Sequence, residues 1–403
     1  MSQNESLVAA DDADNVVHGY LGTTPPIGQL PARGERFWVE HPEKLLNAVN
    51  ILKKARVVAV DAEFTQVRTR VQTPEKSVSM VPRLSLLQLA IDQTCFVVDA
   101  LRLHNLAPLA EVLSNPQIAV LLHGAGGDLR VMAERGLQVV RYYDLEATCR
   151  SIFGQRESSL AAMLQRAFAF SLDKTLQRTD WTRRPLPPAM IAYAARDAEV
   201  TLALYYWLDH HYHTILQAYQ VCEQTPEVVP VWIEPFLKGN SPLSPEIAVA
   251  EARKCGLIQN RSQVFVDCRT ALSQVLHPMR RGRLLRLIAD LGLTQLVPDI
   301  LPLLGAPTAD ERAGSARALG RLGVDSAIEA IMPLLQDPVQ DVRKAAQIAI
   351  RNLTEKETPK QRAVPVKNVD GSRRWVIDHE QNGSIPIKDD DSWQSRLRSI
   401  MDV

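Results

Sequence analysis

The sequence lacks the features of several common classes of protein. Its five cysteines are odd in number and show neither a CxxC pair nor metal-ligand spacing, which favours reduced thiols over a disulfide scaffold. Lys+Arg and Asp+Glu both number 46, so a globally cationic coat for nucleic acid is excluded. No apolar run approaches the roughly 20 residues of a membrane helix, and the polar N-terminus lacks the pattern of a signal peptide. We therefore expect a cytoplasmic protein with no membrane contact.

Two parts of the chain follow different patterns. With 403 residues, 46% of them apolar, the chain is predicted to form two or three domains. Apolar β-branched runs alternate with helical segments in the first half, which is typical of an α/β sheet domain, whereas every later pattern is helical. The predicted divisions are a flexible N-terminal arm (1–38), the α/β domain (39–215), a proline-rich linker (216–245), a helical repeat domain (246–354) and a polar, disordered tail (355–403).

The helical part contains an internal repeat. The pattern of Leu291–Arg312 returns 31 residues later as Leu322–Arg343, with glycine, proline, leucine and arginine at matching positions. Self-similarity at a fixed period predicts a short α-solenoid of HEAT-like repeats. Because two copies are fewer than a solenoid normally needs, we expect a degenerate copy near 245–290, or packing on the first domain, to close the stack.

The first candidate site lies at the end of a predicted strand. Asp61 and Glu63 close the apolar run Arg56–Phe64, and side chains two residues apart in a strand share a face. Charges at the end of a buried strand are costly to desolvate without a partner, and a divalent cation is a natural one. A structural alternative remains open, in which Asp61 caps a turn and Glu63 points into solvent.

Two further segments carry oxygen ligands. The glycine-rich stretch His123–Asp128 follows a predicted strand and puts Asp128 at a helix N-terminus, where it either joins the site or only caps the helix. Tyr193 and Asp197 share one helical face, although a tyrosine there is usually a core residue. Together the segments offer four carboxylates and one phenol, which favour Mg²⁺ or Mn²⁺ over zinc because hard cations prefer oxygen.

In this order, the segments resemble the ribonuclease D family of DEDD exonucleases, in the subclass with tyrosine in the third motif. Asp61 and Glu63 match the first motif, Asp128 the second, and Tyr193 with Asp197 the third. Supporting matches are Phe64–Arg70, Leu86–Leu89, Asp144, Leu172–Lys174 and Thr179–Leu186.

The resemblance implies a fold and an activity. The expected fold is a ribonuclease H-like α/β exonuclease domain, with a mixed sheet and flanking helices, followed by an all-α HEAT-like repeat domain. The implied reaction is hydrolysis of phosphodiester bonds at RNA 3′ ends, in tRNA precursors or other structured RNA, with two Mg²⁺ or Mn²⁺ ions held by the four carboxylates. Two alternatives are the same chemistry on DNA, as in Werner-type exonuclease domains, and a HEAT-repeat interaction protein with little nuclease activity. A protein partner would then dock on the repeats or the tail.

The sequence departs from the family in two places. The loop at 71–83 is longer than usual, which would alter access to the site, and the repeat stack replaces the family's usual helical domain.

Substrate contacts near the site are predicted from position. Phe64 and Leu87 are candidates to wedge the terminal base, with core packing as the alternative for both. Gln88 and His123 are candidates for contact with the terminal nucleotide. The alternative for Gln88 is that it only takes part in the backbone pairing of its strand. The alternative for His123 is a structural role, with its hydrogen bonds made inside the protein.

Basic residues predict a path for the phosphate backbone. Lys174 belongs to a segment, 150–197, in which cations outnumber acids, and it would line the entry to the site. The acid-free run 269–286 contains Arg280, Arg281 and Arg283, which predict a phosphate track on the repeat domain. The alternative for this run is an ordinary solvated helix face.

Overall fold

The structure, a computed structural model, contains an α/β sheet domain followed by a helical repeat domain. It describes residues 25–70, 78–173, 175–176, 179–222, 229–354, 363–367 and 373–377. The first domain is built on a seven-stranded mixed sheet with the strand order β1-β4-β3-β2-β5-β6-β7. Its strands are β1 (Glu35–Val39), β2 (Val57–Arg70), β3 (Val78–Ile91), β4 (Thr94–Asp99), β5 (Ala119–Leu122), β6 (Arg141–Asp144) and β7 (Gln220–Cys222).

The sheet topology brings distant parts of the sequence to one edge. Strands β2, β3 and β4 form an antiparallel meander, and β5 and β6 continue from β2 in parallel. The carboxyl ends of β2, β5 and β6 therefore lie on the same side of the sheet. The tight turn between β3 and β4 uses Gln93 at φ 60°, so these two strands form a hairpin.

Helices cover both faces of the sheet, because its strands are apolar on both sides. One core lies between the sheet and α4, α5 and α6, and the other packs against α1, α2 and α3. Side-chain caps begin two of these helices: Asp144 accepts N–H groups at the start of α4, and Ser159 does so for α5. The helices are α1 (Pro42–Leu52), α2 (Ala110–Leu113), α3 (Gly126–Ala133), α4 (Leu145–Phe153), α5 (Leu160–Phe168) and α6 (Pro188–Ala218).

The second domain is a stack of helices around one continuous core. Helices α10, α12 and α14 lie side by side, and α12 and α14 approach so closely that a Cβ on Gly320 would lie 2.6 Å from the Ala349 Cα. The helices are α7 (Glu234–Lys238), α8 (Pro245–Lys254), α9 (Arg261–Gln274), α10 (Pro278–Asp290), α11 (Val297–Ile300), α12 (Ala309–Leu322), α13 (Ile328–Ile331) and α14 (Gln340–Thr354).

One arginine recurs at the same place in each repeat. Arg281, Arg312 and Arg343 are spaced 31 residues apart, and each donates to loop carbonyls that keep the same spacing. The acceptors are Val275 O for Arg281, Ala306 and Pro307 O for Arg312, and Asp337 and Pro338 O for Arg343. The repeated geometry shows that α10 belongs to a third copy of the repeat, in the region where a degenerate one is expected.

The repeat domain packs directly on the α/β domain. The Ala309 N–H at the start of α12 donates to Ser151 Oγ of α4 at 2.9 Å. Beside it, the Tyr219 hydroxyl at the end of α6 donates to Asp310 Oδ2 at 2.5 Å. Met279 of α10 packs against the core of the α/β domain. The repeat stack is therefore completed in two ways, by a third copy of the repeat and by packing on the first domain.

Three predicted divisions contain more regular structure than expected. Strand β1 lies at the end of the expected arm, α6 and β7 extend into the expected linker, and strands β8 (Ala363–Lys367) and β9 (Arg373–Ile377) form a hairpin in the expected tail. Strand β1 pairs with β4, and β7 pairs with β6. Such pairing between distant segments cannot be predicted from local periodicity. Residues 1–24 of the expected arm, and 355–362, 368–372 and 378–403 of the expected tail, lie outside the described residues.

All five cysteines are free thiols, as expected, with Cys95, Cys149 and Cys268 buried. Within the described residues, no helix combines the length and apolar character needed to span a bilayer.

Candidate active site

The site begins where β2 leaves the buried part of the sheet. Asp61 and Glu63 lie on one face of this strand, and a bulge follows Glu63 in its pairing with β3. Bulges redirect side chains and are frequent beside active sites. One carboxylate oxygen each from Asp61, Glu63 and Asp197 lie within 4.8 Å of one another. The two half-buried residues of the strand thus meet an acid from a distant helix, which removes the alternative of a turn cap and a solvent-facing Glu63.

Asp128 comes to the site from the loop between β5 and α3. It is 9% exposed, and its charge interacts with that of Asp61. The loop is held by Asp144, whose carboxylate accepts the Gly124 N–H at 3.0 Å and the Ala125 N–H at 3.3 Å. Gly124 has φ +79°, and a Cβ there would lie 2.9 Å from Glu146 Oε2, so this turn requires glycine. Asp144 therefore caps α4 and fixes the loop that carries Asp128.

Helix α6 supplies Tyr193 and Asp197, one turn apart. The Tyr193 hydroxyl lies close enough to the Asp197 carboxylate for the two groups to affect each other's pKa. The Tyr193 ring packs on Trp181, with ring centroids 6.1 Å apart. The phenol thus faces the acidic cluster instead of serving only as a core residue.

A buried ion pair holds the loop that carries Trp181. Asp99, at the end of β4, is 0% exposed and receives the Arg184 guanidinium at 2.6 and 2.8 Å. Arg184 also donates to the Trp181 carbonyl at 2.8 Å. This ion pair was not predicted from the sequence. An acid at the end of an apolar strand, as at Asp61, could have indicated that Asp99 needs a partner.

Burial raises the pKa of every acid in the cluster, and repulsion from neighbouring acids adds to it for Glu63, Asp128 and Asp197. Desolvation is the main cause in each case, and it raises the pKa of Asp61 to about 6. For Glu63, the charges of Asp61, Asp197 and Asp128 add to burial, and its pKa rises to about 9. Burial and the charge of Asp61 raise the pKa of Asp128 and that of Asp197 to about 8. Burial, and then the neighbouring acids, also raise the pKa of Tyr193.

These residues fit a divalent cation. Their donors are all oxygens, they converge within 4.8 Å, and ionising them together is unfavourable without positive charge. Among the described residues, Asp197 Oδ1 is also buried without a hydrogen-bond partner. Asp61, Glu63 and Asp197 would hold a cation directly, with Asp128 beside them.

The predicted substrate contacts near the site divide into exposed and core positions. Phe64 is half-buried beside the Asp128 loop, since a Cβ on Gly127 would lie 3.6 Å from its ring. It also packs against the core that contains Leu87, so its contact with a base stays a prediction. Leu87 is 0% exposed and packs in the core on the opposite face of the sheet, so the structure corrects its expected role to core packing.

Gln88 is fully buried, and His123 is half-buried. Gln88 is 0% exposed, and it is the cross-strand partner of Asp61. Because its side chain is fully enclosed, the structure does not offer it to a nucleotide. His123 Nε2 lies 3.0 Å from the Ser158 carbonyl, and burial lowers the pKa of the imidazole. This contact within the protein agrees with the structural role that was the alternative for His123.

The predicted basic path is only partly described. Lys174 lies outside the described residues. Arg280 pairs with Glu234 at 3.1 Å, Arg281 pairs with Glu311, and Arg283 donates to the Leu237 carbonyl at 2.7 Å. The three arginines therefore join parts of the repeat domain to one another, and a role for them as a phosphate track stays a prediction.

Comparison with known proteins agrees with this geometry. Residues 37–211 match the family model of a 3′–5′ exonuclease, and residues 270–355 match that of HEAT repeats. Residues 37–211 are a ribonuclease D-like 3′–5′ exonuclease domain. This exonuclease domain contains all five residues that the sequence assigned to the site.

Three relatives resemble the exonuclease domain. It is 32% identical over 167 residues to Protein RRP6-like 3 of Arabidopsis thaliana, covering 41% of this chain and 18% of that protein. It is 30% identical to Ribonuclease D of Haemophilus influenzae, covering 41% and 39%. It is 32% identical to the exosome complex exonuclease RRP6 of Saccharomyces cerevisiae, covering 42% and 22%. The chain thus spans at most 39% of the length of these relatives.

Proposed function

We propose that this protein is a metal-dependent 3′–5′ exoribonuclease. The observation that carries the proposal is the meeting of carboxylate oxygens from Asp61, Glu63 and Asp197 within 4.8 Å, inside a 3′–5′ exonuclease domain. The substrate class is the 3′ end of RNA, including structured RNA such as tRNA precursors. Relatives named Ribonuclease D and exosome exonuclease support RNA over DNA.

Each residue has a defined task in this proposal. Asp61, Glu63 and Asp197 would hold one cation, and Asp61 with Asp128 would hold a second. Two Mg²⁺ or Mn²⁺ ions supply Lewis acidity that lowers the pKa of the attacking water and neutralises charge on the scissile phosphate. The carboxylates keep these charges fixed where the phosphate binds.

Tyr193 orients the attacking water and does not remove its proton. Burial and the neighbouring acids raise the pKa of Tyr193 above the ordinary value near 10, so the phenol stays protonated at neutral pH. Its hydroxyl interacts with the Asp197 carboxylate, which supports an orientation of the phenol toward the acidic cluster. The protonated phenol can then position the water and a phosphate oxygen by hydrogen bonding.

The environment of the protein is also part of the proposal. Five free thiols support a reducing compartment, and we place the protein in the cytoplasm. The HEAT repeats and the tail offer surface for a protein partner, the use to which repeat stacks are most often put.

One assay tests the activity and its substrate. End-labelled RNA and DNA oligomers, with free or blocked 3′ ends, are incubated with the full chain with and without Mg²⁺. We expect stepwise shortening of RNA from free 3′ ends only when metal is present. Preferential digestion of DNA would support the Werner-type alternative, and no digestion of either strand would refute the nuclease proposal.

Asp61→Ala tests the assignment of the site. We expect it to abolish cleavage and to leave the circular dichroism spectrum unchanged, because the change removes one of several mutually repelling acids from the metal-free fold. Glu43→Gln is the matched control, since it also removes one negative charge but lies exposed in the first turn of α1. Full activity of Asp61→Ala at the same metal concentration would contradict the assignment.

A further inference from the structure

The side chain of Gln88 is enclosed beside the acidic cluster without a partner. Gln88 lies on β3 directly across from Asp61, and its residue exposure is 0%. Neither its Oε1 nor its Nε2 has a hydrogen bond to any part of the chain that the structure describes. Opposed residues of antiparallel strands project from the same face, with Cβ atoms about 4.5–5.5 Å apart. The amide is therefore a direct neighbour of Asp61.

The same face of the sheet carries α6. Leu86 and Ala90, two residues to either side of Gln88, belong to the core that α6 covers with Ala194 and Ala198. Asp197 is adjacent to Ala198 on that helix, and its Oδ1 is buried and likewise lacks a partner among the described residues. An unpaired donor and an unpaired acceptor thus lie between the same strand and helix.

An unpaired amide in a core is unfavourable. Gln88 loses its hydrogen bonds to water on burial and regains none within the described structure, whereas an apolar side chain of similar size would fit without that loss. Positions where a buried polar group opposes stability are frequently ones that serve function. Because Gln88 lies near Asp61 and Asp197, its function is expected to concern these two carboxylates.

We infer that Gln88 is a positioning residue of the acidic cluster. Its Nε2–H donates to Asp197 Oδ1 while the other carboxylate oxygen faces a cation. Hydrogen-bond partners of this kind orient a metal ligand, so the amide holds the Asp197 carboxylate in its cation-binding orientation. This inference rests on the proposed metal-dependent function and adds a residue that contacts neither metal nor substrate.

Gln88→Met is the principal test, with Leu89→Met as its matched control. Methionine is similar in length to glutamine but has no N–H donor. Leu89 is on the same strand, is equally buried and faces the opposite core. The full chain, stripped of metal, is titrated with Mn²⁺ by calorimetry, its melting temperature is measured, and kcat and KM are determined on an RNA oligomer.

The expected result separates a positioning role from a structural one. Gln88→Met should raise the Kd for Mn²⁺ about tenfold and lower kcat with little change in KM, since partners of metal ligands have effects of that size. Its metal-free melting temperature should equal or exceed that of the unmodified chain. A lower melting temperature with unchanged Mn²⁺ affinity would show that Gln88 only packs, and unchanged values throughout would also overturn the inference.

Two further comparisons keep the test decisive. If Gln88→Met does not fold, Gln88→Asn is measured instead, because it retains the amide but withdraws it by one methylene. We expect the Kd for Mn²⁺ to rise roughly threefold or more. An unchanged Kd would reject the inference. Failure of the proposed function looks different, because the unmodified chain would then bind Mn²⁺ and degrade no RNA.

Discussion

Metal binding to the acidic cluster should release protons at neutral pH. Without a cation, burial and mutual repulsion raise the pKa of Glu63 to about 9 and the pKa of Asp128 and Asp197 to about 8. A carboxyl group with a pKa of about 8 is roughly nine-tenths protonated at pH 7. A cation requires these groups as carboxylates, so binding at pH 7 should release between about two and three protons.

Calorimetry measures this release directly. Mn²⁺ is titrated into the metal-free chain at pH 7 in two buffers of different ionisation enthalpy, and the difference in heat gives the number of protons. The number should fall toward zero as the pH rises above 9, and the Kd for Mn²⁺ should fall over the same range. Glu63→Gln should release about one proton fewer. Release of less than about half a proton at pH 7 would refute the reasoning.

The same shifts set the pH dependence of stability. A carboxyl group whose pKa is higher in the folded than in the unfolded chain binds more protons when folded, so the free energy of unfolding decreases as the pH rises. For the metal-free chain, this loss should extend from the ordinary carboxyl range near pH 4 to about pH 9, the raised pKa of Glu63. Added Mn²⁺ should restore stability most strongly at the alkaline end, which thermal melting can measure.

Three substitutions test other parts of the structure. Tyr193→Phe should lower kcat at least about 100-fold in single-turnover digestion, because it removes the hydroxyl that orients the water. Arg312→Ala should lower the free energy of unfolding by about 3 kcal/mol in urea denaturation, since it leaves the buried Asp337 carboxylate without its ion pair at 2.7 Å. Gly320→Ala should destabilise the repeat domain by about 1–3 kcal/mol, because its Cβ would lie 2.6 Å from the Ala349 Cα.

Each substitution has an internal control. Tyr193→Phe should leave the melting temperature unchanged, and an unchanged kcat would mean that the phenol is structural. Arg317→Ala removes an exposed arginine from the same helix as Arg312, and equal stabilities of the two variants would contradict the role of the buried pair. Gly305→Ala adds a methyl group where no atom lies within 4 Å, so a loss equal to that of Gly320→Ala would contradict the packing argument.

The sequence alone located the site because its chemistry is recorded in local patterns. The strand ending in Asp61 and Glu63, the glycine-rich turn before Asp128 and the helical pair of Tyr193 and Asp197 are each readable within a few residues. The 31-residue period likewise predicted the repeat stack, because equivalent helices need equivalent apolar faces. These expectations agree with the exonuclease domain and the HEAT repeats.

Contacts between distant segments were decided by the tertiary structure. A leucine or an arginine has the same local pattern whether it faces a substrate or a core, and only the sheet placed Leu87 on the face opposite the site. Arg281 and Arg283 are part of an acid-free run, yet folding brings Glu311 and the Leu237 carbonyl of α7 to them from elsewhere in the chain. Burial and pairing depend on which segments meet in space, so sequence periodicity could not supply them.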